Sequence, residues 1–235
     1  MASNARWETL TVDGSTMDVF IDEPAGEGPH PAVVVAHHRA GNDSATTKFV
    51  QDLVGHGYVA ASPNLHHRRP DGEDTRDSLK NLDDVQIVAD LNATVTLLQG
   101  MASVDNARMA MAGHCMGGRV SYIGAVSIEA FKCNVVYYGG NMFKVWGNGD
   151  APPFDKLDNL RGPVIGFFGG DDENPSPYDV AKIDAKLTEL GIAHEFHSYE
   201  SAGHAFQNFN NPAGYRAAVT EDSFAKMIVW LGENP

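Results

Sequence analysis

Basic residues are scarce in this chain of 235 residues: 17 Lys and Arg stand against 31 Asp and Glu, for a net charge of −14. Nucleic acid phosphates and anionic membrane surfaces attract a basic face, so neither nucleic acid nor membrane is expected as a partner. Long apolar runs are missing too. A membrane-spanning helix needs ~18 consecutive apolar residues or more, and no such run occurs. The opening residues, Met1 to Glu8, lack the basic-then-apolar pattern of a secretory signal, so the expectation is a cytoplasmic protein. Only two cysteines are present, Cys115 and Cys133, and they form no C-x-x-C pair. That argues against a disulfide framework, a zinc ribbon and a thioredoxin-type site. What remains is a chain that is 43% hydrophobic. Domains of this kind run to ~250 residues, so residues 1–235 read as one domain with room for a full core.

Short β-branched runs alternate with longer amphipathic ones. Trp7–Val12 and Met17–Ile21 read as strands around the turn Asp13-Gly14, and Ala32–Ala36 as a strand buried on both faces. Further strands are expected at Tyr58–Ser62, Ala107–Ala112, Cys133–Tyr138, Val164–Phe168 and Ala193–Tyr199. Helices are expected at Ser44–Gly55, Leu79–Leu98, Met116–Ala130, Pro177–Leu190 and Gly214–Leu231, with a long polar loop at Asn64–Asp77. This rhythm predicts an α/β fold of three layers, α/β/α, with a mostly parallel central sheet and helices on both faces. Active sites of such sheets gather at the carboxyl ends of strands, which directs attention to the residues just after each one.

After the strand ending at Ala112 comes Gly113-His114-Cys115-Met116-Gly117-Gly118, the cysteine form of G-x-S-x-G. A strand that turns sharply into a helix puts its central residue in a strained conformation. Small residues two before and two after let strand and helix pass closely. The thiol then projects at a helix N-terminus, where dipole and free N–H groups favour thiolate and oxyanion. The strand ending at Phe168 is followed by Gly169-Gly170-Asp171-Asp172, where an acid could orient an imidazole. The strand ending at Tyr199 is followed by Ser201-Ala202-Gly203-His204-Ala205-Phe206, where a His could reach the thiol. The chain order of nucleophile, acid and His is that of the α/β-hydrolases.

From about Thr11 to Leu231 the sequence resembles the dienelactone hydrolase (carboxymethylenebutenolidase) family of that fold. The carriers are Gly113-His-Cys-Met-Gly-Gly, the Gly-Gly-Asp-Asp turn and Tyr199-Glu-Ser-Ala-Gly-His-Ala-Phe. The resemblance implies Cys115 as nucleophile, His204 as base and acid, and Asp172 as the orienting group, with Asp171 its neighbour in the motif. It also implies an oxyanion hole from the backbone N–H of Met116 and one near Arg39, in the loop Ala36-His37-His38-Arg39-Ala40-Gly41. The implied activity is cleavage of an ester or lactone of a small molecule, without a cofactor, by a monomer or homodimer. Two positions depart from the family. His38 stands where the type enzymes carry a glutamate, and can donate to the thiolate, bind substrate or act as a second base. Asn208 falls near the place of an arginine that binds the substrate carboxylate; Arg39, Arg68, Arg69 and Arg76 are other sources of a cation.

Other readings are weighed by residue chemistry. His37-His38 and His66-His67 are adjacent pairs whose side chains diverge on extended chain, so no metal site is expected. The segment Asn141–Phe154, with Met142, Phe143 and Trp146, is either a surface loop or a wall over an apolar part of the substrate. Trp146, Phe206 and His38 are the substrate-binding candidates. A thioesterase or an amide- or C–C-cleaving enzyme of the same fold remains open. So does a non-catalytic member that binds a small ligand, and an accessible Cys115 would also suit a redox sensor.

Overall fold

The computed structural model describes residues 4–70, 72–73 and 78–234. Eight strands form one sheet: β1 (Arg6–Val12), β2 (Ser15–Asp22), β3 (His30–Ala36), β4 (Val59–Pro63), β5 (Val104–His114), β6 (Phe131–Tyr137), β7 (Val164–Gly169) and β8 (His194–Tyr199). Their spatial order is β1-β2-β4-β3-β5-β6-β7-β8. β1 and β2 make an antiparallel hairpin across Asp13-Gly14, β2 pairs antiparallel with β4, and the six strands from β4 to β8 are parallel. The mostly parallel sheet expected from the sequence is therefore the observed one.

Among the described residues four helices connect parallel strands, α1 (Ser44–Gly55), α2 (Asp84–Gln99), α3 (Met116–Ser127) and α4 (Pro177–Glu189), and a fifth, α5 (Ala217–Glu233), follows β8. Strand β3 shows how they divide between two faces. Its side chains alternate, so Ala32 and Val34 pack toward α2 and α3, while Val33 and Val35 pack toward Phe49 and Leu53 of α1 and Met227 and Trp230 of α5. Helix α4 shares its core with Tyr122 of α3 and with Val136, Val164 and Phe168 of the sheet. Two fully covered sheet faces explain why β3 reads as an unbroken apolar run.

Several boundaries differ from expectation. Leu79 belongs to a separate 3-10 turn at Ser78–Asn81, and α2 starts only at Asp84. Asp83 caps it by accepting from the Val85 and Gln86 N–H groups, which sets the start. Helix α5 starts at Ala217 rather than Gly214, because the Arg216 N–H is spent on the Phe206 carbonyl at 2.9 Å. Helix α3 stops at Ser127, where Ile128 turns to extended backbone. The stretch Asn64–Asp77 lies partly outside the described residues; its first part, from Asn64 to Arg69, folds into turns that pack on the sheet, with Leu65 buried. No helix among the described residues is long and apolar enough to cross a membrane.

Candidate active site

Strand β5 runs directly into α3 with Cys115 as the single residue between them, at φ 58° and ψ −117°. A side chain held at positive φ outside the helical region costs of order 1–3 kcal/mol, which the surroundings must offset. Close backbone contacts do so. A Cβ at Gly113 would collide with the Gly117 carbonyl, and one at Gly117 with the Ala36 carbonyl. One at Gly118 would lie 2.6 Å from the Tyr137 carbonyl. The Cys115 N–H donates to the Tyr137 carbonyl at 3.0 Å, which ties the turn to β6.

The loops after β7 and β8 bring the other two candidates to the sulfur. His204 Nδ1 lies 2.8 Å from Asp172 Oδ2, and its Nε2 lies 2.9 Å from Cys115 Sγ. Asp172 is 5% exposed and its other oxygen accepts from the Asn174 N–H at 2.9 Å. Asp171, one residue earlier, is exposed and makes no contact with the imidazole. Ala205, at φ 61°, turns the chain immediately after His204. Tyr138 stands edge-on to the imidazole with centroids 5.2 Å apart.

Burial alone would raise the Cys115 thiol. The hydrogen bond to His204, the His204 charge and the backbone N–H groups of Met116 and Arg39 outweigh it and bring the thiol below its ordinary value. Burial likewise opposes charge on His204, yet the bonds to Asp172 and Cys115 push it up to about 10. The two shifts favour a thiolate–imidazolium pair. Cys133, by contrast, is buried with burial pushing its thiol up to about 12, an inert side chain.

Cys115 opens into a cleft of ≈ 880 Å³, with Arg39, Leu79, Met116, Trp146 and His204 among its lining residues. Trp146 forms part of the wall and is only 9% exposed. Of the segment Asn141–Phe154, Asn141 and Trp146 line the cleft, and this part of it is fastened from below. Arg119 of α3, fully buried, forms a bidentate ion pair with Asp84 at 2.5 and 3.0 Å. The same guanidinium donates to the Asn141 and Lys144 carbonyls and lies 3.8 Å from the centre of the Trp146 ring. Asp84 also accepts from the Trp146 N–H, and Asp83 from Asn148. Nothing in the spacing of the sequence marks Arg119, three residues into a helix, as the partner of Asp84.

His38 also lines the cleft, and its Nε2 lies 2.9 Å from Asp43 Oδ1. Asp43 is the N-cap of α1, accepts from Ala45 and Thr46 N–H groups, and is bound by Asn210 Nδ2 at 2.8 Å. Burial works against its charge, but these bonds and His38 hold Asp43 well below the usual carboxylate range. An acid thus stands beside His38, contributed by the N-cap of α1. Phe206 is placed otherwise than expected. It is fully buried among Tyr137, Tyr138 and Tyr199 and does not line the cleft, because the turn at Ala205 points it into the core. Of the candidate cations, Arg39 lines the cleft, Arg68 is engaged by Asp90 at 2.8 Å, and Arg69 lies outside the lining. Arg76 lies outside the described residues. Asn208 does line the cleft and brings no charge there.

The histidine pairs are occupied separately. His67 Nε2 meets Asp90 Oδ1 and its Nδ1 meets Ser15 Oγ, each at 3.0 Å, while His66 reaches the Arg39 carbonyl. Among the described residues no group of three or more His, Cys, Asp or Glu side chains is placed to hold a metal ion.

The chain is similar to known proteins over nearly its whole length. The model of the dienelactone hydrolase family matches residues 17–234. A Methylorubrum extorquens protein provisionally named a carboxymethylenebutenolidase is 28% identical over 88% of this chain and 74% of its own. A Synechocystis protein with the same provisional name is 26% identical over 97% of this chain and 96% of its own. The crystal structure of a provisionally named dienelactone hydrolase from Klebsiella pneumoniae superimposes with a TM-score of 0.87 at 26% identity, covering 99% of both chains.

Proposed function

The chain belongs to the dienelactone hydrolase family of α/β-hydrolases, and from that premise we propose that it cleaves an ester or lactone by nucleophilic catalysis through Cys115, His204 and Asp172. The observation that carries the reading is the single imidazole that bridges Asp172 at 2.8 Å and Cys115 at 2.9 Å. Nucleophile, base and orienting acid within hydrogen-bond reach of one another is the arrangement that acyl transfer requires.

The Cys115 thiolate attacks the carbonyl carbon, and the carbonyl π electrons move to oxygen. The N–H groups of Met116 and Arg39, which both reach the Cys115 sulfur in the free protein, serve as donors to that oxyanion. The oxyanion collapses, the C–O bond to the leaving group breaks, and the imidazolium of His204 gives its proton to the departing oxygen. The product is a thioester on Cys115. His204, now neutral, takes a proton from water, and the hydroxide attacks the thioester. The acid leaves and the thiolate is regenerated beside imidazolium. In a lactone the leaving oxygen stays tethered to the acyl group, so one ring-opened product results.

The test is hydrolysis of a dienelactone by the wild type beside Cys115→Ala. Turnover that vanishes in a folded Cys115→Ala variant supports both nucleophile and substrate class. A folded wild type without turnover removes dienelactone, and a panel of activated esters and thioesters then decides between ester hydrolysis and thioester hydrolysis. A wild type that neither hydrolyses nor is acylated by any of these overturns the reading in favour of a ligand-binding member.

A further inference from the structure

His37 makes no contact with the sulfur, yet it is the only fully buried histidine side chain bonded on both ring nitrogens within the loop that carries the Arg39 N–H. The Leu65 N–H meets its Nε2 at 3.0 Å. A backbone N–H can only donate, so Nε2 carries the lone pair and Nδ1 carries the proton. That Nδ1–H then donates to the His38 carbonyl at 2.7 Å, and the Gly41 N–H donates to the same oxygen at 2.9 Å. Burial pushes the His37 imidazole down to about 3, so the tautomer is kept across the neutral range.

The His38 carbonyl and the Arg39 N–H belong to one peptide unit. In a planar trans peptide, C=O and N–H point in opposite directions. Two donors that hold the carbonyl therefore fix the N–H in the opposite direction, toward Cys115. A reversed peptide would leave the His37 and Gly41 donors unpaired and turn an oxygen toward the oxyanion. The next carbonyl, that of Arg39, is held in turn by His66 Nε2 at 3.0 Å. The loop rests on the elbow helix so closely that a Cβ at Gly117 would lie 2.7 Å from the His37 carbonyl.

From this geometry we infer that His37 is a positioning residue of the reaction: it orients the 38–39 peptide so that the Arg39 N–H serves as an oxyanion donor. The inference rests on the acyl-transfer reading for its kinetic part. It assigns to the first histidine of His37-His38 a role in the transition state, with no contact to substrate.

Two variants and three readouts test it. His37→Leu removes the donor and leaves the Leu65 N–H without its acceptor, so its thermal stability is followed alongside. His37→Asn keeps an N–H within reach of the His38 carbonyl. The readouts are acylation by a p-nitrophenyl ester, alkylation of Cys115 by iodoacetamide at the plateau of its pH profile, and the Arg39 amide resonance. Alkylation needs the thiolate but builds up no oxyanion. Loss of one oxyanion donor lowers acylation by roughly 10²–10³-fold, so His37→Leu should fall by that order while alkylation is little changed and His37→Asn recovers part of the loss. The Arg39 amide, which in the wild type shifts when Cys115 is alkylated, should no longer respond in His37→Leu. Acylation at the wild-type rate in His37→Leu overturns the inference, as does a parallel fall of acylation and alkylation that His37→Asn does not restore. If the wild type is acylated by no ester, the hydrolase reading fails by itself, and the Arg39 amide still decides whether His37 aims that N–H.

Discussion

The clamp beneath Trp146 gives a prediction whose size follows from burial. Arg119→Met keeps much of the alkyl stem and removes the guanidinium. The Asp84 carboxylate, with its side chain 4% exposed, is then left with the Trp146 N–H as the donor that the wall still provides. Removing one partner of a buried ion pair costs ~3–5 kcal/mol, because the other charge stays desolvated. Loss of the cation over the indole adds a contribution of ~0.5–2 kcal/mol that overlaps with it. We expect a net loss of about 4 kcal/mol, which a domain of ~5–15 kcal/mol stability survives at 25 °C. At a slope of ~2–3 kcal/mol/M the urea midpoint falls by roughly 1–2 M. Adding Asp84→Asn neutralises the stranded charge while keeping an acceptor for the Trp146 N–H, and should recover ~1–3 kcal/mol. Activity should change in a matching way: with the wall released, KM rises for esters whose acyl group lies on the indole, while iodoacetamide still alkylates Cys115. A single variant within ~1 kcal/mol of the wild type would refute the reasoning. So would strict additivity of the two substitutions.

Other consequences can be checked more briefly. Iodoacetamide reacts with the thiolate, and the Cys115 thiol is lowered, so its alkylation rate should reach its plateau at lower pH than a free thiol; His204→Ala removes the largest contributions that oppose burial, leaving only the Met116 and Arg39 N–H groups, and should move the inflection to higher pH. An unmoved inflection in that variant would separate the two groups electrostatically. Asp172→Asn should lower kcat by roughly 10²–10⁴-fold with the fold retained, and Asp171→Asn, at an exposed position, should barely change it; steady-state kinetics that reverse this order would reassign the acid. Asp43→Ala removes the N-cap of α1 and should cost ~0.5–2 kcal/mol in chemical denaturation, with a larger proportional loss of activity if the His38–Asp43 pair shapes the cleft. Gly117→Ala should destabilise the protein by ~3 kcal/mol or more or prevent its folding, and a soluble, active variant would contradict the backbone contact at that position.

The features legible in the sequence are those encoded locally. Gly113 to Gly118 carry their own geometric instruction, since a sharp turn between strand and helix needs small residues at fixed offsets. The alternation of apolar runs likewise revealed the sheet, and the chain order of Cys115, Asp172 and His204 could be read because each follows a strand. Asp83 and Asp84 ahead of an apolar run were a readable cap signal, but the apolar Leu79 and Leu82 extended the helical pattern past it. Pairings across long sequence distances left no such trace. Asp84 and Arg119 are 35 residues apart, and the ring nitrogen of His37 meets a backbone donor 28 residues away. Only the folded sheet makes them neighbours. Phe206 misled for a related reason: two residues beyond a site histidine, its direction is set by one backbone angle at Ala205 that composition does not disclose.

The glycine contacts of the elbow bear on how such a protein can change. At Gly113, Gly117 and Gly118 main chain lies against main chain, so no side chain of any size fits and no substitution offers a graded alternative. The cleft wall is different: Asn141 and Trp146 come from the segment after β6, where side chains can be exchanged without moving the sheet or the residues around Cys115. Chemistry and selectivity are thereby stored in separate stretches of sequence. A lineage, or a laboratory library, can rewrite what the cleft accepts while the proposed nucleophile's turn is inherited unaltered.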